Sequence, residues 1–194
     1  VRNSPEKLLV TNFKDFIPST LISSDFNEIK NFRSLYKDII VKPLYGNGGS
    51  GVFHLTPDDE NLSSLIEFFT SFSQEPLIVQ EYIPEVRLGD KRIVLIDGHP
   101  VGAINRIPPK GEARSNMHVG GQAEKIELND VDKSICEAIG DELRNRGLFF
   151  AGIDVIGNFL TEINVTSPTG IQEINRFDDI QVEKLFWNNL EKKI

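Results

Sequence analysis

Three groups of residues in this 194-residue chain have types and spacings that could do chemistry. The first is Lys42-Pro43-Leu44-Tyr45-Gly46-Asn47-Gly48-Gly49-Ser50-Gly51. Gly46, Gly48 and Gly51 match G-x-G-x-x-G, but a dinucleotide fold needs a helix after that motif so that its N-terminus meets the pyrophosphate. Here the strand-like Val52-Phe53-His54-Leu55 follows. The Walker pattern fails as well, because no Gly-Lys-Ser/Thr is present. A strand, a glycine loop and a return strand remain. Such a loop can fold over phosphates and donate backbone N–H groups, with Lys42 as a point charge at its root. The same segment also reads as a flexible hairpin with a surface lysine.

The second group is Gly152-Ile153-Asp154-Val155-Ile156 followed by Leu160-Thr161-Glu162-Ile163-Asn164. Glu162 and Asn164 are two apart and share one face of a strand. Parity decides where Asp154 falls. A two-residue turn pairs Ile156 with Phe159 and sets Ile153 opposite Glu162, mixing charge into the apolar face. A three-residue turn pairs Asp154 with Glu162 and Gly152 with Asn164, leaving Ile153, Val155, Ile163 and Val165 together on the other face. This second register is chemically consistent. It gathers two carboxylates and an amide carbonyl, hard oxygen ligands that suit Mg²⁺ held jointly with phosphates. A solvated polar face is the alternative. The third group is Arg92, Arg106 and Arg114. Arginine suits fork-like recognition of carboxylate or phosphate. Each reads singly as a surface charge, but together they flank a candidate lid.

Elements must hold these residues in place. Asn3-Ser4-Pro5-Glu6 predicts a helix start, with Ser4 as N-cap and Pro5 at the first helical position. Short strands are expected over 20–22, 39–42, 51–55 and 77–80. Phe26, Ile29, Phe32 and Leu35 recur at helical spacing, as do Leu62, Leu65, Ile66 and Phe69. Asp97-Gly98 marks a hairpin joining 91–96 to 101–107, and Gly157-Asn158 marks a second. Between the hairpins, residues 108–125 lack periodicity and carry Gly111, Gly120 and Gly121. This long stretch reads as a functional lid, poorly ordered without ligand. Val131, Ile135, Ile139 and Leu143 predict a helix ending near Gly147, and a last helix covers 182–190, packed by Phe186 and Trp187. The sum is α+β with largely antiparallel sheets, because hairpins dominate the second half.

Composition narrows the function classes. Lys plus Arg is 21 against 29 Asp plus Glu, a net charge of −8. That argues against a nucleic-acid or anionic-membrane surface, since phosphate contacts need cations. Cys136, the only cysteine, excludes an internal disulfide framework or a Cys-rich zinc site and reads as a packed core thiol. His54, His99 and His118 lack metal spacing. No apolar run reaches membrane-spanning length and no signal-peptide pattern opens the sequence, so a cytoplasmic protein is expected.

The order of these pieces resembles the ATP-grasp ligases, and most closely the bacterial glutathione synthetase family. The resemblance rests on Glu6-Lys7-Leu8, Ile40-Val41-Lys42-Pro43-Leu44 with its glycine loop, and Gly89-Asp90-Lys91-Arg92. It continues through Arg106-Ile107-Pro108, Gly111-Glu112-Ala113-Arg114-Ser115-Asn116 and Gly120-Gly121. The run from Leu160 through Glu162, Asn164 and Ser167-Pro168-Thr169-Gly170 closes it. It implies an ATP-grasp fold of two subdomains, 1–83 with the glycine loop and 84–194 with the lid and metal-binding hairpin. It implies ligation of γ-glutamylcysteine to glycine, with ATP and Mg²⁺ (or Mn²⁺) as cofactors. Lys7 and Lys42 would then hold ATP phosphates under the loop of Gly46, Gly48 and Gly49. Gln80, Glu81, Tyr82 and Ile83 would line the adenine pocket, with Asp90 near the ribose. Asp154, Glu162 and Asn164 would hold the metal. Arg92, Arg114 and Asn116 would face the acyl substrate and the developing phosphate charge, with Arg106 on the substrate side. Ser167, Thr169 and Gly170 would form a loop near the amino-acid ligands, Gly170 standing where the family commonly has Cys. The family carries a further domain ahead of the Asn3–Lys7 region, which contributes to substrate binding and to homo-oligomer contacts, so activity would belong to a longer protein. Another carboxylate–amine ligase, or a module that binds ATP without turnover, remains an alternative.

Overall fold

The computed structural model describes residues 3–46, 48–112, 114–117 and 120–194. Asn47, Ala113 and His118, quoted above, lie outside the described residues. In chain order the elements are α1 (Glu6–Leu9), β1 (Thr20–Ser23), α2 (Phe26–Tyr36), β2 (Ile39–Pro43), β3 (Phe53–Leu55), α3 (Leu62–Phe72) and β4 (Leu77–Glu81). Then follow β5 (Asp90–Ile96), β6 (His99–Ile107), β7 (Gln122–Lys125), α4 (Asp130–Asn145), β8 (Phe150–Ile156), β9 (Phe159–Asn164), α5 (Ile171–Asp178) and α6 (Val182–Glu191). No helix among the described residues is long and apolar enough to cross a membrane.

Alternation gives each strand two faces, and burial chooses between them. In β2, Ile39 and Val41 are fully buried, so Ile40 and Lys42 take the opposite side. β4 repeats this, with Leu77 and Val79 in the core and Gln80 on the opposite side. These strands form a sheet of order β1-β4-β2-β3, packed by Ile29 of α2 and Leu62, Leu65 and Ile66 of α3. A larger sheet has order β7-β6-β5-β8-β9. All pairings in both sheets are antiparallel, in agreement with the α+β expectation.

The larger sheet buries both faces, but unequally. One face carries Ile93, Leu95, Ile153, Val155 and Ile163 against Ile135, Cys136, Ile139 and Leu143 of α4. Each fully buried side chain of this kind contributes about 1.5–3 kcal/mol. Leu9 and Val10 join the same core, so the first helix packs on the larger sheet. Burial, with Asp132 and Glu137 nearby, pushes the Cys136 thiol up to about 12. On the other face, Val94, Ile96 and Ile104 meet Ile174 and Val182 of α5 and α6. Farther along that face, beyond the apolar residues that meet α5 and α6, lie Asp90, Arg92, Arg106, Asp154, Glu162 and Asn164.

Both candidate registers of the second hairpin turn out to be partly present. Ile156 pairs with Phe159 around a two-residue Gly157-Asn158 turn, yet Asp154 pairs with Glu162 and Gly152 with Asn164. A β-bulge beside Asp154 and Val155 absorbs the extra residue, Thr161, and switches parity between turn and site. The Thr161 hydroxyl donates to the Asp154 carbonyl at 3.1 Å.

Other expectations change. Pro5, not Ser4, is the N-cap of α1, because its extended backbone precedes a single helical turn with no side-chain cap. Ser4 is buried and faces Arg146. The segment 108–125 is not structureless throughout, since Gln122–Lys125 pairs with β6 as an edge strand. Helix α5 was not foreseen, because its only fully buried apolar residue is Ile174. Leu35 and Trp187 are exposed, at 70% and 59%, so neither packs a core.

Candidate functional site

The polar end of the larger sheet carries charge in registered rows. Arg92, Asp154 and Glu162 are neighbours across β5, β8 and β9, and Asp90 pairs with Arg106 one row on. Arg92 forks onto Asp154, with Nε at 2.6 Å from Oδ1 and Nη2 at 3.1 Å from Oδ2. Arg106 Nη2 lies 3.0 Å from Asp154 Oδ1 and 2.6 Å from Asp90 Oδ2. Asn164 Nδ2 donates to Asp154 Oδ2 at 3.3 Å. Four donors thus meet the roughly four acceptor positions of Asp154. Burial opposes its charge, but Arg106 and Arg92 outweigh that and hold its carboxyl well below the usual carboxylate range. The same arginine keeps its own proton more tightly than usual, for although burial works against its charge, Asp154 and Asp90 outweigh it.

Glu162 is the opposite case. Burial, then the charge on Asp154, push its carboxyl up to about 7, against the pull of Lys42 and Lys7. Two facing carboxylates with an amide oxygen beside them make a hard donor set that a divalent cation would relieve. Asn164 spends its Nδ2 on Asp154, which leaves Oδ1 to ligate. Among the described residues no group of three or more His, Cys, Asp or Glu is arranged for a metal. The trio therefore suits a cation that takes its remaining ligands from a bound anion.

The smaller sheet supplies the facing wall. Lys42 projects from the side of β2 opposite its core residues, and burial lowers its ammonium pKa against the pull of Glu162. Lys7 reaches over from α1, donating to Pro43 O at 3.1 Å and Gly46 O at 3.2 Å, and burial lowers it too. Gln80, Glu81, Tyr82 and Ile83 continue the wall at the end of β4. Gln80 donates to Thr20 Oγ1 at 2.9 Å. The Tyr82 ring stacks on His54 with centroids 3.9 Å apart. Asp90 Oδ1 is buried without a hydrogen-bond partner among the described residues, and burial raises the pKa of this carboxyl despite Arg106.

Glycine loop and lid touch above the cleft. Gly49 has φ +75°, and a Cβ there would lie 2.7 Å from Asn116 Oδ1 and 2.9 Å from Arg114 Cδ. Both the conformation and the approach need glycine. Arg114 is gripped by Glu112, with Nη2 at 2.7 Å and Nε at 2.9 Å from its carboxylate.

Two recesses result, and they share Gly48, Asn116 and Glu162. One gathers Lys7, Lys42, Gly46, Gly49, Gln80, Glu81, Tyr82, Ile83, Asp90, Arg114 and Asp154. The other gathers Arg92, Arg106, Asn164, Ser167 and Thr169. Of the residues given a site role by the family resemblance, Gly170 alone lines neither; it caps α5 beside Arg92. Sequence reasoning missed Glu6 and Ser115. Glu6 Oε1 accepts from the N–H groups of Val165 and Thr166 at 2.8 and 3.0 Å, fixing the loop after β9. Its place beside Lys7 was the available signal.

Comparison with known proteins places the chain in a family. The profile described as "Prokaryotic glutathione synthetase, ATP-grasp domain" matches residues 6–179. A glutathione synthetase of Agrobacterium fabrum is 58% identical over 193 residues, covering 100% of this chain and 60% of that protein. One from Synechococcus elongatus is 47% identical over 182 residues, 94% of this chain and 56% of that protein. The chain thus spans about 60% of the length of the curated relatives it matches. Among solved structures, the D-cycloserine synthetase DcsG superposes with TM-score 0.70 at 15% identity, over 86% of this chain and 64% of that one. D-alanine–D-alanine ligase from Bacillus anthracis gives 0.65 at 16%, over 95% and 64%. These likenesses show a shared ATP-grasp fold. The profile match and the whole-chain identity go further: the chain belongs to the prokaryotic glutathione synthetase ATP-grasp domain family.

Proposed function

We propose that this chain is the nucleotide-binding and catalytic portion of an ATP-dependent carbon–nitrogen ligase that joins γ-glutamylcysteine to glycine. The observation that carries this reading is the meeting of the two recesses at Gly48, Asn116 and Glu162. A triphosphate in one and a carboxylate in the other would approach each other there. Lys42, Lys7 and the glycine loop hold the phosphates, residues 80–83 hold the base, and Asp90 meets the ribose. Arg92 and Arg106 face the acyl substrate, with Ser167, Thr169 and Gly170 near the amino-acid ligands. The two sheets act as the two subdomains, divided at residues 83 and 84, except that α1, although it precedes the division, packs on the larger sheet.

The chemistry asks for no nucleophilic side chain. The substrate carboxylate attacks the γ-phosphorus of ATP, the bond to the β–γ bridging oxygen breaks, and ADP leaves. The amine of glycine then attacks the acyl phosphate carbon, loses a proton, and expels phosphate. The protein's task is to bring anions together and neutralise their repulsion, to which Lys42 and Arg114 contribute charge and Asn116 a hydrogen-bond donor. Asp154, Glu162 and Asn164 would hold Mg²⁺ or Mn²⁺, Asp154 by giving up one of its present donors in favour of the ion, which would supply charge neutralisation at the phosphates when bound. Lid contact with the glycine loop excludes water from the acyl phosphate. We place the enzyme in the cytoplasm, as a homo-oligomer in its full length.

A phosphate-release assay on the full-length protein tests this. Release should require ATP, Mg²⁺, γ-glutamylcysteine and glycine together. Faster release with two D-alanines, or with another amino-acid pair, would move the reading to a different carboxylate–amine ligase. ATP binding by calorimetry with no release for any pair would leave a binding module.

A further inference from the structure

Among the described residues of the lid Ser115 is the deeply buried one, at 4% exposure, while Lys110 and Gly111 in the same segment are exposed. Its hydroxyl donates to Asp90 Oδ2 at 2.6 Å. That oxygen also accepts from Arg106, which in turn meets Asp154, so the lid is tied into the charged rows of the sheet. A hydrogen bond to a buried carboxylate is among the stronger kinds. The neighbours on either side, Arg114 and Asn116, are the two residues that press on Gly49. The returning arm of the lid is closed just as tightly. The Gly121 N–H donates to Asn116 O at 3.2 Å, and a Cβ at Gly121 would fall 2.0 Å from Ser115 O. One hydroxyl thus fixes the height of the lid at the midpoint between its two working side chains.

We propose that Ser115 is a positioning residue: its bond to Asp90 sets Arg114 and Asn116 against the glycine loop. The catalytic consequence rests on the ligase reading above. Losing the hydroxyl leaves both working side chains present but unplaced. The walls formed by Lys42, Gln80 and Tyr82 belong to the other sheet and are untouched, while Asp90 keeps Arg106 as a donor, so nucleotide affinity should fall less than the rate of the chemical step.

Ser115→Ala and Ser115→Thr separate these effects. Limited trypsin digestion of the chain, mapped by mass spectrometry, should cut after Lys110 and Arg114 about tenfold faster in Ser115→Ala. Ser115→Thr keeps the hydroxyl and should stay within about twofold of the parent, with both unfolding midpoints near the parent's. Parent-like cutting of Ser115→Ala, or faster cutting spread along the whole chain, would overturn the latch. In the full-length protein, Ser115→Ala should lower kcat about tenfold while KM for ATP rises by less than that factor, because Asp90 loses one donor, and Ser115→Thr should restore both. An unchanged kcat would overturn the positioning role. A parent protein that releases no phosphate would instead sink the ligase reading, and the digestion would still decide the latch.

Discussion

Two carboxylates a strand apart carry opposite duties. Asp154 is saturated by arginine and amide donors, whereas Glu162 is crowded by its neighbour's charge. Removing them should therefore have opposite consequences. Asp154→Ala leaves Arg92 and Arg106 buried without their shared counter-ion and should cost about 3–5 kcal/mol of stability. Glu162→Ala removes a repulsion and should leave the urea midpoint at or above the parent's. In the full-length protein it should still abolish Mg²⁺-dependent turnover. Near-normal turnover in Glu162→Ala would contradict the metal assignment, and an unaltered midpoint in Asp154→Ala would contradict its role as counter-ion. Sequence could place these two carboxylates on one face only through the apolar residues that had to share the other, because spacing allowed two registers and a bulge decides between them. It could not divide their duties, because the arginines that saturate Asp154 come from strands whose register the sequence leaves open.

The elements show the same division between what spacing reveals and what packing decides. Short apolar runs marked β2 and β4, and the Asp97-Gly98 turn marked β5 and β6, because burial and turn chemistry are both written in residue type. The bulge at Thr161 was hidden, since the two-residue turn and the Asp154–Glu162 pairing looked like rival registers until one strand accommodated both. Helix α5 escaped for a related reason. It is short and capped by Gly170 with no side-chain bond, so it depends on the sheet it covers. Helix α4 declares itself through the reciprocal bonds of Asn129 and Asp132 at its first turn. Asp132 does a second job there. It pairs with Lys91, which β5 points into the α4 face of the sheet. Lys91→Met should cost about 3 kcal/mol, because it strands a buried carboxylate. Asn129→Ala removes only a cap and should cost about 1 kcal/mol. Urea unfolding of both variants checks the ranking, and equal losses would mean that the pair adds nothing beyond the cap.

At the scale of the whole molecule, the cleft belongs to neither sheet. Lys42 and the base wall come from one, the carboxylates and lid from the other, and Lys7 crosses from a helix packed on the larger sheet to the root of the glycine loop. A ligand that needs both sheets should stabilise the assembly as a unit. At about 100 times Kd, binding adds about 2.7 kcal/mol. For a chain of this size that corresponds to a rise of about 5–10 °C in Tm. A non-hydrolysable ATP analogue with Mg²⁺ should produce that rise, and adenosine should produce much less, because it reaches only the base wall. Lys42→Met should erase most of the analogue's effect while leaving the ligand-free Tm unchanged or slightly higher, since burial already disfavours the lysine's charge. A full shift in Lys42→Met would mean that the phosphates lie elsewhere, and with them the junction of the two recesses on which the ligase reading depends.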